Sequence, residues 1–266
     1  MSQQLAGKVA LIVGGETVVG IDIAQEFARQ GATLLVQGPY RGLASRIVQS
    51  IQEEGGEAAV YQGDLEQNER ALDFVQTAVN RYGRIDSLVL ATEIHASSQQ
   101  CADLIPDARW TQQAIQSSLL TCYYALPYLQ MTQGSILAIC SEICPLMYSQ
   151  IAPHEAALKA WLRSFIQSTA QQQTHRQVRA NFIGSGPLDL TLSEETRDGL
   201  QSAMLGIDPI EVPQVCRFLA SDRAADVTGA AYIIRDCLPE MEAIAPFHQS
   251  HVNCPIESSV SQVTSQ

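Results

Sequence analysis

Short apolar segments alternate with segments of helical periodicity along most of this chain, and that alternation limits its fold more than any other feature. The apolar segments predict six strands, at residues 8–13, 32–37, 58–61, 87–91, 135–140 and 178–183. The segments between them predict five helices, at residues 21–30, 43–54, 68–82, 109–130 and 155–172. Strands that alternate with helices favour a parallel sheet, because each right-handed crossover carries a helix over one face of the sheet.

The predicted fold is therefore α/β, with a single doubly wound (Rossmann) parallel sheet and helices on both faces. The first strand supports this prediction, because residues 9–13 are apolar throughout, as a strand buried on both faces should be. Such a sheet places its ligand cleft at the carboxyl ends of the strands. The predicted domain spans residues 1–238, and the polar residues 239–266 are predicted to form an extended or disordered tail.

Composition and charge exclude several classes of partner. The chain has 266 residues, of which 46% are hydrophobic, enough for a full core. Its net charge of −12, from 28 acidic and 16 basic residues, argues against nucleic acid as a partner. The first residues lack the regions of a signal peptide, and no apolar run approaches the roughly 20 residues of a membrane span. We therefore expect a cytoplasmic protein.

Seven cysteines without a CxxC pair predict reduced thiols packed as small hydrophobic side chains, rather than disulfides or a zinc site. In the tail, His248, His251 and Cys254 stand three residues apart and are possible metal ligands. A solvated tail is the favoured interpretation, because no fourth ligand is fixed nearby. We therefore predict no metal site.

Several short motifs along the chain occur in an order that is typical of one protein family. A glycine-containing loop, VGGETVVG, follows the first strand at residues 13–20, and the strand that ends at Ser141 is followed in the next helix by Lys159. Further motifs, NFIGSGP, VCRFLASD and VTG, lie at residues 181–187, 215–222 and 227–229. Together they resemble the short-chain dehydrogenase/reductase family, over nearly the whole chain to about residue 237.

The resemblance implies that residues 13–20 form the cofactor loop, which reads TGxxxGxG in the family. Gly14 and Gly20 keep the glycines that serve the tight turn and the close packing of helix on strand. Val18 replaces the glycine that lets the backbone approach the pyrophosphate, and its branched side chain would occupy that space. Glu16 adds a negative charge where a helix N-terminus otherwise favours an anion. We therefore expect weakened dinucleotide binding.

Other positions bear on the choice of cofactor. Asp64 matches the family's aspartate that contacts adenine, whereas Glu93 replaces a glycine beside the nicotinamide ribose. The end of the second strand, residues 37–41, lacks the acid that would hold the ribose hydroxyls of NAD(H). Arg41 could reach a 2′-phosphate or be a solvated residue at a helix start. The cofactor stays unknown; if a dinucleotide binds, the resemblance favours NADP(H) over NAD(H).

The resemblance also implies a catalytic frame. In the family, a tyrosine four residues before the lysine donates a proton, the lysine lowers the tyrosine pKa from about 10, and a serine holds the carbonyl. Ser141 and Lys159 keep the serine and the lysine, but Glu155 stands in place of the tyrosine. A glutamate of reference pKa about 4.3, one turn from a lysine, has no proton to donate at neutral pH. Local helix stabilisation by the Glu–Lys pair is the favoured interpretation.

His154 is the alternative acid. It lies thirteen residues after Ser141, which is the family's spacing counted from the serine, but that register puts Leu158 at the lysine position. A histidine that only caps or packs at the helix start is favoured over this role. A hydrolase built from Ser141, His154 and Glu155 is disfavoured, because GxSxG is absent and adjacent side chains diverge on a helix. The family's catalytic asparagine in the fourth helix is replaced by serine at best, in residues 117–119.

Two functions follow as alternatives. The favoured one is a pseudo-enzyme, a family scaffold with a degraded active site that serves a binding or assembly role. The other is an active NADP(H)-dependent oxidoreductase that uses His154 or Glu155 as a non-standard proton donor. The departures at Val18, Glu93 and Glu155 fall on the cofactor and proton-transfer side, whereas the packing motifs remain, which favours the first.

The family forms dimers through its fourth and fifth helices, and the matching segments here are strongly apolar. Their large apolar residues are Leu119, Leu120, Tyr123, Tyr124, Trp161, Leu162, Phe165 and Ile166. About half should face the sheet, and the remainder would form an exposed apolar patch. We therefore expect a homodimer or tetramer, or a mixed oligomer with a related subunit.

Overall fold

The computed structural model of the protein describes residues 3–38, 42–91, 108–141, 153–185 and 211–234. Within them, seven strands form one parallel sheet in the order β3-β2-β1-β4-β5-β6-β7. The strands are β1 (Val9–Val13), β2 (Thr33–Gly38), β3 (Ala58–Gln62), β4 (Ser87–Leu90), β5 (Ser135–Ser141), β6 (Arg179–Ser185) and β7 (Ala231–Ile234). Because β1 lies between β2 and β4, the strand order reverses there, which places a cleft at the carboxyl ends of these strands.

Six α-helices accompany the strands in the described part of the chain. They are α1 (Val18–Arg29), α2 (Leu43–Glu53), α3 (Asn68–Tyr82), α4 (Ala108–Thr132), α5 (Pro153–Gln173) and α6 (Glu211–Ala220). The first five match predicted helices to within three residues at either end. The sequence patterns did not predict α6 or β7, which are short elements of ten and four residues.

Each face of the sheet has its own hydrophobic core, and successive residues of β1 belong to opposite cores. Val9, Leu11 and Val13 pack with residues of α3, α4 and α5 on one face. Ala10 and Ile12 pack with residues of α1, α2 and α6 on the other face. All five side chains are buried. The double burial of β1 confirms the doubly wound α/β fold that the sequence predicts.

Buried polar side chains fix the amino edge of the sheet, where its strands begin. Asp86, which precedes β4, accepts a hydrogen bond of 2.9 Å from the Val9 N–H at the start of β1. The same carboxylate binds the Arg84 guanidinium through both oxygens, at 2.7 and 2.9 Å. These bonds hold the beginnings of the two central strands together.

A second polar cluster at the amino edge joins β6 to the segments that follow α6. The buried Arg179 guanidinium donates hydrogen bonds to three main-chain carbonyls, those of Leu219, Ser221 and Ala224. Asn181, also fully buried, donates to the Val227 carbonyl at 2.9 Å and accepts from the Ala230 N–H at 3.1 Å. These two side chains explain why an apolar sheet carries polar residues at the start of β6.

Three of the cysteines are described, and Cys122, Cys140 and Cys216 are all buried. Burial raises the pKa of the Cys122 thiol to about 12, so this side chain packs as an unreactive apolar group. Among the described helices, none has both the length and the hydrophobicity needed to cross a membrane. The predicted tail, with His248 and His251, lies outside the described residues.

Candidate functional site

A glycine turn, residues 13–20, leads from β1 to α1 at the carboxyl edge of the sheet. Gly14 has a φ of +76°, in the left-handed region that glycine tolerates. Thr17 caps α1, because its hydroxyl oxygen accepts a hydrogen bond from the Gly20 N–H at 2.9 Å. The Thr17 N–H donates to the Gly14 carbonyl at 3.0 Å, and this closes the turn. The cap starts α1 at Val18, three residues earlier than the apolar pattern predicts.

The Thr17 hydroxyl also ties the glycine turn to the end of β4. Its oxygen lies 2.8 Å from the Gly14 carbonyl oxygen and 3.1 Å from the Ala91 carbonyl oxygen. The single hydroxyl hydrogen is available to either acceptor. The turn is therefore held from the β4 side of the cleft as well as from its own backbone.

Gly20 lets α1 approach the glycine turn closely. A Cβ atom at Gly20 would lie 2.2 Å from the Gly14 carbonyl oxygen, which is far inside van der Waals contact. A Cβ atom at Gly15 would lie 2.1 Å from Val36 Cγ1 on β2. The structure thus brings Gly14 and Gly20 together in the turn and packing geometry that the sequence leads us to expect. Their contact with a cofactor stays a prediction.

Gln37, the penultimate residue of β2, connects the ends of three neighbouring strands. Its side-chain carbonyl accepts a hydrogen bond of 3.0 Å from the Gly14 N–H, just after β1. Its side-chain amide donates a hydrogen bond of 2.8 Å to the Gly63 carbonyl, just after β3. The side chain is buried, with the residue 6% exposed. Both polar ends of Gln37 are therefore used inside the protein.

Glu16 and Val18 are the two residues of the glycine turn that the resemblance predicts to lie near a pyrophosphate. Val18 begins α1 and is 43% exposed, so its branched side chain reaches the surface of the turn. Glu16 is half-buried, and this burial raises the pKa of its carboxyl. A carboxyl group and a branched side chain therefore stand in the glycine turn at the N-terminus of α1.

Asp64 lies in the exposed segment after β3, next to the Gly63 carbonyl that Gln37 binds. Its carboxylate accepts a weak hydrogen bond of 3.4 Å from the Glu66 N–H. Burial raises the pKa of the Glu66 carboxyl; a hydrogen bond with the Gln113 side chain lowers it, and the Asp64 charge raises it. Asp64 is thus at the carboxyl edge, as its predicted role requires. The other predicted cofactor residue, Arg41, lies outside the described residues, as does Glu93.

The predicted catalytic positions lie on β5 and α5. Ser141 is the last residue of β5, and α5 begins at Pro153, so Glu155 precedes Lys159 by one helical turn. Because α5 leads back from the carboxyl edge to the start of β6, its first turn lies near the end of β5 where the cleft is. The structure describes the main chain at Ser141, His154 and Glu155 but not their side chains.

The burial of α5 distinguishes the two catalytic registers. Leu158 is 2% exposed and belongs to the core beneath α4 and α5. Lys159 is half-buried. In the register that makes His154 the acid, the lysine position falls on the core residue Leu158. The geometry therefore favours the register that counts from Lys159 and puts Glu155 at the tyrosine position.

Hydroxyl groups of α4 bond to their own helix where the family carries its catalytic asparagine. Ser117 and Ser118 both donate to the Ala114 carbonyl, at 3.2 and 2.9 Å. Thr121 donates to the Ser117 carbonyl at 2.7 Å. Ser118 and Thr121 are fully buried. These hydroxyls therefore satisfy main-chain carbonyls within α4.

The apolar residues of α4 and α5 divide between the core and the surface. Leu162 and Ile166 are buried, and Leu120, Tyr124, Trp161 and Phe165 are half-buried. On α4, Leu119 is 40% exposed, Tyr123 is 71% exposed and Met131 is 81% exposed. The rings of Trp161 and Phe165 stack with centroids 5.2 Å apart. We call Leu119, Tyr123, Trp161 and Phe165 the apolar face.

The interpretation of the sequence missed the roles of Gln37 and Thr17. A signal for each is present: Gln37 is a polar residue near the end of an apolar strand, and Thr17 is a capping residue just before a helix. Among the described residues, no group of three or more potential metal ligands lies together.

Comparisons with known proteins agree with this architecture. The family model described as short chain dehydrogenase matches residues 8–201. A 3-oxoacyl-[acyl-carrier-protein] reductase of Chlamydia pneumoniae is 24% identical over 246 residues, covering 88% of this chain and 98% of that protein. An L-rhamnose 1-dehydrogenase (NAD(P)(+)) of a Sphingomonas species is 29% identical over 250 residues, covering 86% of this chain and 95% of that protein.

Solved structures show the same fold. A putative short-chain dehydrogenase/reductase from Burkholderia xenovorans superposes with a TM-score of 0.77 at 23% identity, covering 90% of this chain and 99% of its own. The L-sorbose reductase from Gluconobacter frateurii, in complex with NADPH and L-sorbose, superposes with a TM-score of 0.76 at 21% identity. It covers 91% of this chain and all of its own. At these identities the likeness concerns the fold alone.

Proposed function

The chain belongs to the short-chain dehydrogenase family, and from that premise we propose that it is a pseudo-enzyme, a member that no longer transfers hydride and serves in binding or assembly. The observation that carries the proposal is the residue at the tyrosine position. Position 155, one turn before Lys159 on α5, carries glutamate. The other departures, in the glycine turn and in α4, support the same conclusion.

The chemistry at Glu155 opposes carbonyl reduction. A carboxyl of reference pKa about 4.3 is ionised at neutral pH, and a lysine one turn away favours the ionised form further. An ionised carboxylate has no proton to give to a substrate oxygen. Its negative charge also disfavours the alkoxide that develops as hydride arrives. Glu155 and Lys159 instead have the i, i+4 spacing of a pair that stabilises a helix.

The glycine turn does not fit a tightly held dinucleotide. Gly14 and Gly20 keep the turn and the close packing of α1, but the N-terminus of α1 carries Glu16 and Val18 where a pyrophosphate would approach. An ionised carboxylate at that position competes with phosphate for the helix N-terminus. Exposure of 43% places the Val18 side chain outside the core, where it obstructs the approach.

The hydroxyls of α4 add independent support. Where the family places an asparagine side chain, Ser117 and Ser118 donate to the Ala114 carbonyl of their own helix. A serine engaged in this way offers neither the reach nor the two polar atoms of an amide. Ser117 and Ser118 therefore do not replace the asparagine on this helix.

The alternative function is an active NADP(H)-dependent oxidoreductase with a non-standard acid, Glu155 or His154. It draws support from relatives that are named as a reductase and as a dehydrogenase. Lys159 and Ser141 also stay at the family's positions. The buried Leu158 disfavours His154, because the lysine would then be absent from its family position. For Glu155 to act as the acid, burial would have to raise the pKa of its carboxyl by more than the nearby lysine lowers it.

For assembly, we propose contact through the apolar face of α4 and α5. Tyr123 and Leu119 are exposed, and the stacked Trp161 and Phe165 are half-buried. Aromatic residues of this kind are enriched at protein interfaces. A two-fold contact uses the same surface on both subunits, which gives a homodimer or a tetramer. A related, active subunit could bind the same surface and give a mixed oligomer.

Titration with NADPH and NADH tests the proposal most directly. The wild-type protein should bind neither more tightly than about millimolar in calorimetry, because Glu16 and Val18 obstruct the glycine turn. The double variant Glu16→Ser, Val18→Gly should bind more tightly. Micromolar binding by the wild-type protein would contradict the proposal, and an unchanged affinity in the double variant would place the obstruction elsewhere.

A carbonyl-reduction assay separates the two candidate functions. The wild-type protein should show no turnover across a broad ketone panel, and Glu155→Tyr alone should not restore it while the glycine turn stays obstructed. Measurable turnover would support the alternative. Glu155→Gln and His154→Ala would then identify the acid, because only loss of the true proton donor abolishes turnover.

A further inference from the structure

We infer that Gln37 is a positioning residue, which fixes the main-chain shape of the glycine turn from the protein's interior. The inference stands apart from the proposed function, because it concerns the shape of the turn whether or not a dinucleotide binds. It is carried by three features of the structure: the burial of Gln37, its two hydrogen bonds, and the packing of Gly15 on β2.

The side-chain amide of Gln37 has a fixed orientation. The Gly14 N–H is a donor and needs the amide oxygen, and the Gly63 carbonyl is an acceptor and needs the amide nitrogen. The distances of 3.0 and 2.8 Å allow a hydrogen bond at each end. A rotated amide would lose both bonds inside a buried site. Gln37 is therefore a rigid link between the residues that follow β1 and β3.

The main chain of Gln37 holds the next residue of the turn. The Gly15 N–H donates to the Gln37 carbonyl at 3.0 Å, which extends the pairing of β1 and β2 into the turn. Gly15 also lies against Val36, so closely that a Cβ atom there would be 2.1 Å from Val36 Cγ1. The side chain of Gln37 thus binds Gly14 and its main chain binds Gly15, so that β2 holds two consecutive residues of the turn.

The held turn determines where α1 begins. The Gly14 carbonyl accepts from the Thr17 N–H, and Thr17 caps α1 through the Gly20 N–H. A shift of Gly14 would therefore pass through Thr17 to the N-terminus of α1, the part of the fold that binds anions. On the other side, the Gly63 carbonyl is joined to the segment that carries Asp64. One buried amide thus sets the spacing of two segments across the carboxyl edge.

Amide hydrogen exchange, resolved by residue with NMR on the full-length protein, tests the inference without any ligand or activity. The reporters are the Thr17 and Gly20 amides, which bond within the turn and not to Gln37. In Gln37→Met, which has similar size but no amide, these reporters should exchange roughly tenfold faster, the effect of losing a buried hydrogen-bonded partner. Exchange in α3 and α5 should stay at the wild-type rate.

A conservative variant makes the test specific. Gln37→Glu, studied at a pH where the new carboxyl is ionised, keeps an oxygen that accepts from the Gly14 N–H but replaces the donor to the Gly63 carbonyl with a second acceptor. It should leave the Thr17 reporter near the wild-type rate and speed exchange at residues 64–66. This variant also keeps the inference testable if Gln37→Met fails to fold.

Gln52→Met is the matched control. Gln52 on α2 donates a comparable hydrogen bond of 2.8 Å to the Ala58 carbonyl, away from the turn. This variant should leave the Thr17 and Gly20 reporters unchanged. Unchanged reporters in Gln37→Met would overturn the inference. Equal acceleration over the whole chain would overturn it too, because Gln37 would then contribute only to global stability.

Discussion

At the amino edge of the sheet, Arg179 and Asn181 form hydrogen bonds to main-chain groups of the segments that follow α6. At the carboxyl edge, Gln37 forms hydrogen bonds to the main chain just after β1 and just after β3. In both places a buried polar side chain satisfies main-chain groups that would otherwise lack a partner. The surroundings differ, because the amino-edge bonds close connections between elements, whereas the carboxyl edge is where a doubly wound sheet binds ligands.

The departures from the family pattern follow the same division. Glu16 and Val18 lie in the glycine turn at the carboxyl edge, and Glu155 lies in the first turn of the helix that starts there. At the amino edge, Asn181 and residues 215–222 keep motifs that resemble the family's. The comparison teaches that ligand chemistry and fold are held by different residues, so the first can be lost while the second stays. The following predictions test this separation, beginning with the largest effect.

Arg179→Met should give the largest loss of stability. The change removes the donors to three main-chain carbonyls, and we expect the free energy of unfolding to fall by about 3 kcal/mol in urea denaturation. Arg223→Met is the matched control, because Arg223 is exposed and lies in the segment whose carbonyls Arg179 binds. This variant should change the free energy of unfolding by no more than about 0.5 kcal/mol. A loss below about 1 kcal/mol for Arg179→Met would show that the polar contacts at the amino edge contribute little to stability.

Gly20→Ala tests whether the carboxyl edge keeps a packing constraint of its own. The added Cβ atom would meet the Gly14 carbonyl oxygen at 2.2 Å, so α1 must shift, and we expect a loss of about 2 kcal/mol. Gly42→Ala is the control for packing, because a Cβ atom there meets no atom within 4 Å. Equal effects of the two substitutions in thermal unfolding would show that α1 adapts freely.

Asn181→Leu and Gln37→Met compare the two edges directly, since each replaces a buried amide with an apolar side chain of similar size. We expect losses of about 2 kcal/mol for Asn181→Leu and about 1 kcal/mol for Gln37→Met. Asn181 is fully buried, whereas water can replace part of the lost bonding at the carboxyl edge. Urea denaturation of both variants measures the difference. Equal losses would mean that the carboxyl edge is as closed to water as the amino edge.

Glu16→Gln should have the smallest effect, and it should depend on pH. Burial raises the pKa of Glu16 in the folded state above its reference value of 4.5, so protonation favours folding. The wild-type protein should therefore gain stability as the pH falls through the folded-state pKa toward 4.5. The variant lacks the charge and should be slightly more stable at pH 7, with the difference vanishing below pH 4.5. Melting temperatures between pH 4 and 8 check this, and a variant less stable at pH 7 would contradict it.

Much of the fold could be predicted from the sequence because its signals are local. The apolar run of β1 and the helical spacing of α3 each specify an element without reference to the rest of the chain. Two elements escaped prediction for a physical reason. Strand β7 has four residues and, among the described strands, pairs with β6 alone. Helix α6 has ten residues and packs against α1 and the sheet, so much of its stability comes from tertiary contacts.

The candidate site could be predicted in position but not in detail. The places of Gly14 and Gly20 follow from spacing, and the structure brings the two together. A polar residue near the end of an apolar strand marks Gln37, but its two partners could not be predicted, because they lie 23 and 26 residues away in sequence and meet it only in the folded sheet. The structure adds that Leu158 is buried in the core, but the choice between Glu155 and His154 as the acid stays a prediction.

The position of β1 in the sheet has a consequence for synthesis of the chain. β1 pairs with β2 on one side and with β4 on the other, and β4 leaves the ribosome only after β2, β3 and α3. Until then, the β4-facing side of β1 exposes unpaired N–H and C=O groups on a strand that is apolar on both faces. Such an open edge can pair with another nascent chain. Truncated products that end before β4 should therefore be the species that chaperones retain or that aggregate.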